Sequence, residues 1–331
     1  MRLALGLLAL VGLAARAANA EEVGEALAAA RGLLAQDKPA AALQRLQGLD
    51  TEDPRVALVL GVAHYHAGDA VQAVALIAPA VPRFEAESVE RREAVQVLGL
   101  SHYLAGHLEE AVPFLEETRR WAADNLELLQ VLGNAYVQTQ RPDQARECFA
   151  RNFGVDPASA PSHLLAAQMM LRLQQENMAE SELQQALRKD PRLPQASVLL
   201  GQIALFRGRL AEAVEHTRQE LALNPGNALA WSQLGDAYVR QQSWDEATAA
   251  LQRSIWINPF YSAPYILLGR AYAKKGQPAT AEGMLRRAIE YDPNNRTAHY
   301  LLGQLLQQQG RTDEAQKELE AAARLQGPPG R

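Results

Sequence analysis

The sequence predicts an all-α solenoid of about nine helix-turn-helix repeats, on three interlocked series of residues. A Gly or Ala returns every 34 residues, at Gly99, Gly133, Ala167, Gly201, Gly235, Gly269 and Gly303. Twelve positions after that small residue stands an alanine, at Ala73, Ala111, Ala145, Ala179, Ala213, Ala247, Ala281 and Ala315, where two helices must touch. A proline preceded by Asp or Asn closes most repeats, at Pro157, Pro191, Pro225, Pro259 and Pro293. Such self-similarity marks a stacked array, because one helix pair cannot bury its apolar face without neighbours on both sides.

Taken in chain order, the first twenty residues stand apart. Arg2, an apolar run from Leu3 to Ala15, and Ala18-Asn19-Ala20 before Glu21-Glu22 have the order of a cleavable signal peptide over 1–20, cut after Ala20. The competing readings are an uncleaved membrane anchor and a first packed helix. No other run is long and apolar enough to span a bilayer. A solenoid over 21–327 follows, with repeats starting near 21, 54, 92, 126, 160, 194, 228, 262 and 296, and a short tail at 328–331. The first repeat is degenerate and turns at Asp37-Lys38-Pro39.

Local signals place the helices within each repeat. From Leu126, the apolar residues Leu128, Leu129, Val131, Leu132, Tyr136 and Val137 recur at helical spacing, with Gly133 allowing close approach of the partner helix. Pro39, Pro142 and Pro278 fall in the first turn of second helices, and Pro161, Pro194 and Pro264 in that of first helices, where a missing N–H costs nothing. Ser243 with Glu246 has the spacing of a capping box. Pro113 falls inside a helix and predicts a late start or a kink. Between Gly61 and Gly99 the spacing is 38 rather than 34, and a longer loop around Ser88-Val89-Glu90-Arg91 is expected to absorb the excess. The polar glutamines Gln304, Gln307, Gln308 and Gln309 suit a terminal repeat.

These residues resemble the tetratricopeptide repeat (TPR) family. Trp231, Leu234, Gly235, Tyr238, Ala247 and Pro259 follow its pattern in the repeat from Ala228, with Leu251 in place of the aromatic and Ser254 in place of the last alanine. The next repeat adds Tyr265, Leu268, Gly269, Tyr272, Ala281, Ala288 and Pro293. The resemblance covers nearly all of the chain after residue 20 and implies a right-handed superhelix.

Composition narrows the function. The chain carries 33 basic and 38 acidic residues, a net charge of −5, or −7 once Arg2 and Arg16 leave with the leader, which disfavours nucleic acid. Cys148 is the one cysteine, so no intramolecular disulfide forms; a packed small residue and a redox role are its two readings. The leader with no cysteine after it predicts a soluble periplasmic protein that meets a membrane only through a partner.

No catalytic or metal-binding arrangement emerges, and no cofactor is expected. His64, His66, His102, His107, His163, His216 and His299 form no metal spacing. Glu109-Glu110 and Glu116-Glu117 read as ordinary surface charge.

The resemblance implies a concave groove lined by first-helix positions. Carried onto this sequence, those positions hold Tyr65, Tyr103, Asn134, Gln138, Gln168, Arg172, Gln202, Asp236, Arg240, Arg270, Lys274 and Gln304. An apolar series accompanies them, with Val137, Leu171, Leu205, Val239 and Ala273; packing of adjacent first helices would explain these equally well. Amides and guanidinium groups beside an apolar stripe suit a protein or extended peptide, so the expected role is a non-enzymatic scaffold in an envelope secretion, export or assembly machine. A chaperone-like holder of unfolded exported clients is the alternative. The family's carboxylate clamp is not matched, since Gln130 stands where its lysine belongs.

Overall fold

The computed structural model describes residues 21–325, which form helices, one short 3-10 turn and loops, with no strand among them. The expected leader over 1–20 and tail at 328–331 lie outside the described residues. Helix α1 covers 21–35, followed by α2 Pro39–Leu46, α3 Pro54–His66, α4 Ala70–Ile77, α5 Val89–Leu104, α6 Leu108–Arg119, α7 Leu126–Gln138, α8 Pro142–Asn152 and α9 Ala160–Arg172. Then come α10 Glu176–Lys189, α11 Ala196–Phe206, α12 Leu210–Leu223, α13 Ala228–Arg240, α14 Trp244–Ile257, α15 Ser262–Lys274, α16 Pro278–Tyr291, α17 Arg296–Gln308 and α18 Thr312–Arg324. The chain divides into two compact units, one reaching Ala158 and including Gln168–Gln175, the other holding Ser159–Ala167 and the chain from Glu176 onward.

In each unit the core of one hairpin continues into the next. In the first, Leu27, Ala30, Ala42 and Leu46 of α1 and α2 cluster with Val56 and Val59 of α3. In the second, Leu234, Ala247 and Leu251 of α13 and α14 cluster with Leu221 of α12 and Leu268 of α15. The eight alanines of the second series are all buried, and at α15/α16 and α17/α18 their carbonyls lie 3.3 and 3.2 Å from where a Cβ on Gly269 and Gly303 would stand. A Cβ on Gly235 would come within 2.4 Å of Leu251 Cγ, so only glycine permits this approach.

Every hairpin turns through one residue with positive φ: Asp37, Gly68, Gly106, Gln140, Gln174, Gly208, Gln242, Gly276 and Gly310. The next residue's N–H returns to a carbonyl five positions back, as in Asp69 N–H to His64 and Ser243 N–H to Tyr238, which satisfies the orphan carbonyls at the helix end. Four of these positions are not glycine, and each such side chain carries a left-handed penalty.

First helices start on Asp, Ser or Asn caps that the repeat pattern does not single out: Asp53, Ser88, Asn125, Asn227 and Asn295 each accept a backbone N–H. The capping box expected at Ser243 is not made; with ψ at 74° its side chain accepts no cap bond, and only its carbonyl joins the helix, from Ala247 N–H. Pro194 also differs from expectation. It lies in a turn before α11, because Gln195 at φ 70° delays the helix to Ala196. The excess between Gly61 and Gly99 is taken up by the 3-10 turn Val81–Arg83 and a sixteen-residue α5, so Ser88 is a cap and Val89 to Arg91 are helical rather than a loop. At Pro113 there is no late start: α6 begins at Leu108, and the proline is exposed, leaving the Glu109 carbonyl it deprives of a donor within reach of water.

Charged side chains link successive turns. Glu109 pairs with Arg141 at 2.6 Å, Glu180 with Arg209 at 2.7 Å, Asp245 with Lys275 at 2.5 Å and Glu282 with Arg311 at 2.7 Å. Exposed pairs of this kind contribute about 0 to 1 kcal/mol each. The acidic pairs expected to be ordinary surface charge are therefore largely engaged, since Glu116 accepts the Tyr136 hydroxyl and Glu117 pairs with Arg91.

Candidate functional site

In the first unit, the candidate residues are dispersed along α3, α5, α7 and the end of α9. Tyr65 and Tyr103 are half-buried; the Tyr65 ring meets His66 edge-on at 5.4 Å, and burial, with the nearby Glu127 carboxylate adding to it, pushes its hydroxyl pKa up. Asn134 is tied into an amide relay, its carbonyl accepting from Gln130 Nε2 at 3.1 Å while Gln130 Oε1 accepts from Asn152 at 3.0 Å. Gln130, the residue in the clamp-lysine position, therefore acts as an intramolecular bridge. Gln168 is half-buried, and Gln138 and Arg172 are exposed.

The second unit separates its cations into two kinds. Arg240 is committed to the fold: its guanidinium takes both Asp236 oxygens, at 3.1 and 2.9 Å, and Nη1 donates to the Leu205 carbonyl at 2.9 Å. Arg270 and Lys274, one turn apart on α15, are exposed and make no hydrogen bond or ion pair among the described residues. Like charges at this spacing destabilise a helix by about 0.2 to 0.5 kcal/mol.

Both border a recess of about 240 Å³ between α15, α16 and α17. Its lining combines Ala273, Leu285, Leu301 and Leu305 with Gln304 and Gln308. Gln304 Nε2 donates to the Tyr300 hydroxyl at 2.8 Å, which orients the amide and leaves its carbonyl as an acceptor. Arg270, Lys274 and Gln304 were all readable from the repeat register, whereas Leu301 and Leu305 were missed because their spacing marks them as core. Gln202 is exposed and does not line the recess. Of the apolar series, Val137, Leu205 and Val239 are buried between helices, which makes them packing residues.

The recess can hold an anionic group. Two cations supply charge, the amides supply a donor and acceptors for a peptide backbone, and the leucines provide an apolar floor. A carboxylate would also remove the repulsion between Arg270 and Lys274.

Three of the histidines serve packing. His163 Nδ1 meets Glu182 at 2.7 Å with both side chains buried, and His299 bridges Glu318 at 2.6 Å and the Pro293 carbonyl at 3.0 Å. Trp231 and Tyr265 make the same reach to the Pro225 and Pro259 carbonyls. His102 stacks on Phe114, and burial, helped by His107, lowers its pKa. Among the described residues, no group of three or more His, Cys, Asp or Glu is placed to hold a metal ion. Cys148 is fully buried, and burial raises its thiol pKa to about 11 despite Arg119 nearby, so at neutral pH it is an unreactive thiol.

Three family models, each described as Tetratricopeptide repeat, match this sequence: one over 102–169 and 272–328, one over 171–228 and 198–262, and one over 54–79. No curated protein matches it. Among solved structures, the chain is similar to MamA from Desulfovibrio magneticus RS-1, at 21% identity over 50% of this chain and 94% of that one, with a TM-score of 0.46. It is also similar to a thermophilic TPR protein of Thermus thermophilus, at 22% identity over 50% and 91% with a TM-score of 0.44. PilF of Pseudomonas aeruginosa shares 18% identity over 61% of this chain and 93% of its own, with a TM-score of 0.49.

Proposed function

The chain belongs to the tetratricopeptide-repeat family, and from that premise we propose that it is a non-enzymatic scaffold of the bacterial cell envelope that grips a partner polypeptide. The hold is an anionic group of the partner seated between Arg270 and Lys274. What carries this reading is the pair of uncompensated cations over the recess of α15 to α17. Three nearby cations are paired, Arg240 with Asp236, Lys275 with Asp245 and Arg311 with Glu282, whereas Arg270 and Lys274 form an adjacent unpaired couple. Leaving two cations unpaired one turn apart costs stability unless a ligand compensates them.

Extended peptides bearing a free carboxylate, compared with their amidated counterparts, test the recess directly. Charge-assisted hydrogen bonds contribute about 1.5 to 3 kcal/mol, so Arg270→Glu with Lys274→Glu is expected to weaken binding by about tenfold or more. Wild-type binding should fall as salt rises. Equal affinity of the variant for every carboxylate peptide would refute the reading. The envelope address rests on the leader pattern from Arg2 to Ala20, and N-terminal sequencing of the protein from an osmotic-shock fraction should begin at Glu21. Retention of Met1 in the membrane fraction would make it an anchored protein instead.

A further inference from the structure

Two large aromatic side chains stand out from the second unit at the end of α14. Trp256 and Phe260 are 73% and 75% exposed, and only Ile257, Asn258 and Pro259 separate them in the chain. Both are held in place. The Arg253 guanidinium lies 4.4 Å from the Trp256 ring centroid, and the Phe260 N–H donates to Asn258 Oδ1 at 3.2 Å. The Phe260 ring stands edge-on to Tyr291 at 5.7 Å, and Tyr291 accepts from Arg287 Nη1 at 3.1 Å. Arg253 makes no hydrogen bond or ion pair among the described residues, so its N–H groups remain available while the cation stacks on the indole.

We propose that this edge, formed by the end of α14, the loop after it and α16, docks a short acidic segment of a partner polypeptide. A carboxylate sits on Arg253 and an apolar side chain packs against Trp256 and Phe260. Trp, Tyr and Arg are the residue types that dominate binding energy at protein interfaces, and their immobilisation before binding lowers the entropic cost of association. Arg287 already faces Glu290 at 3.9 Å, so Arg253, which has no ion-pair partner among the described residues, sets the sign of the partner segment. An anionic bilayer would meet the field of the whole chain, whose net charge is −5, whereas a short peptide responds to charges within about 8 Å at physiological salt. None of these residues lines the recess of α15 to α17, so the edge is a second contact and stands or falls independently of the first.

The test uses the full chain and labelled eight-residue synthetic peptides, each with two glutamates flanking one leucine or phenylalanine. Their glutamine counterparts and phosphatidylglycerol-containing vesicles serve as comparisons. The other three tryptophans are half-buried, so a blue shift of tryptophan emission on binding reports chiefly on Trp256. The glutamate peptides are expected to bind at least tenfold more tightly than the glutamine peptides. Arg253→Gln and the double variant Trp256→Ser with Phe260→Ser should each lose about tenfold. The proposal is overturned if no glutamate peptide binds, if the serine variant binds them as well as wild type does, or if vesicles bind in place of peptides.

Discussion

Two neighbouring hairpins of the second unit, α13/α14 and α11/α12, share one register and differ at the residue that fills their central contact. In α13/α14, Leu251 is fully buried and would lie 2.4 Å from a Cβ on Gly235. In α11/α12 the corresponding residue is Thr217, whose hydroxyl turns back to the Ala213 carbonyl and would lie 2.9 Å from a Cβ on Gly201. Gln233 of α13 reaches toward the same place, 3.6 Å from that Cβ, and its buried Oε1 has no hydrogen-bond partner. Glu220, also buried, has one carboxylate oxygen unpartnered. The repeat thus dictates where two helices touch, while a single substitution decides whether the contact is dry and filled or polar and under-satisfied. An unmet buried acceptor costs about 1 to 3 kcal/mol, so α11/α12 should be the softer hairpin.

The sharpest way to break this comparison is to overfill both contacts. Ala247→Leu should cost about 1 to 3 kcal/mol in denaturant unfolding, and Ala213→Leu less, because a threonine at the contact leaves more room than a leucine. Equal losses would show that the two hairpins are packed alike. Next in size is Gly235→Ala. Displacing Leu251 outweighs the helix propensity of alanine, for a net loss of about 1 to 2 kcal/mol, whereas Gly201→Ala should be close to neutral. Hydrogen exchange of α11 and α13 amides would locate each effect, since losses in a linear array stay local.

Much of this contrast was legible before the structure, and the remainder was not, for physical reasons. The small-residue series and the Asp-Pro or Asn-Pro boundaries specify the repeat, because close approach and chain reversal tolerate few residue types. Nothing in the sequence marks Gln140, Gln174 and Gln242 as left-handed turn residues, since glutamine has no preference for that region and the tertiary context imposes it. Ser243 shows the opposite failure: the spacing to Glu246 was right, but the turn through Gln242 sets a ψ from which the hydroxyl makes no cap bond. At the candidate site, Arg240 and Arg270 look alike in the pattern. Only the structure shows that Asp236 and the Leu205 carbonyl occupy the first while the second is unpaired.

Replacing Thr217 and Gln233 together by leucine should reverse the sign of the effect. The double variant removes the unmet Oε1, supplies the leucine that α13/α14 has, and is expected to raise stability by about 1 to 2 kcal/mol. A drop in the denaturant midpoint would mean that the polar niche is better satisfied than its geometry indicates. The smallest expected change is Gln242→Gly at the α13/α14 turn. It should gain up to about 1 kcal/mol by relieving the left-handed strain, whereas Gly208→Gln at the α11/α12 turn should lose a similar amount.

Most of the charged pairs that join successive turns run in one direction, the Arg286 to Glu314 pair at 3.3 Å being reversed. The acid belongs to the earlier hairpin and the base to the later one, in Glu109 to Arg141, Glu180 to Arg209, Asp245 to Lys275 and Glu282 to Arg311. Each of these hairpins thereby offers a negative group forward, and each that follows answers with a positive one, like couplings of matched gender between carriages. A gene that duplicated the α15/α16 hairpin, which carries both Lys275 and Glu282, would bring an acid against a base at the new junction. Array length can therefore grow at that hairpin by recombination without creating a like-charge clash, so the number of hairpins there can change separately from the sequence of any one of them.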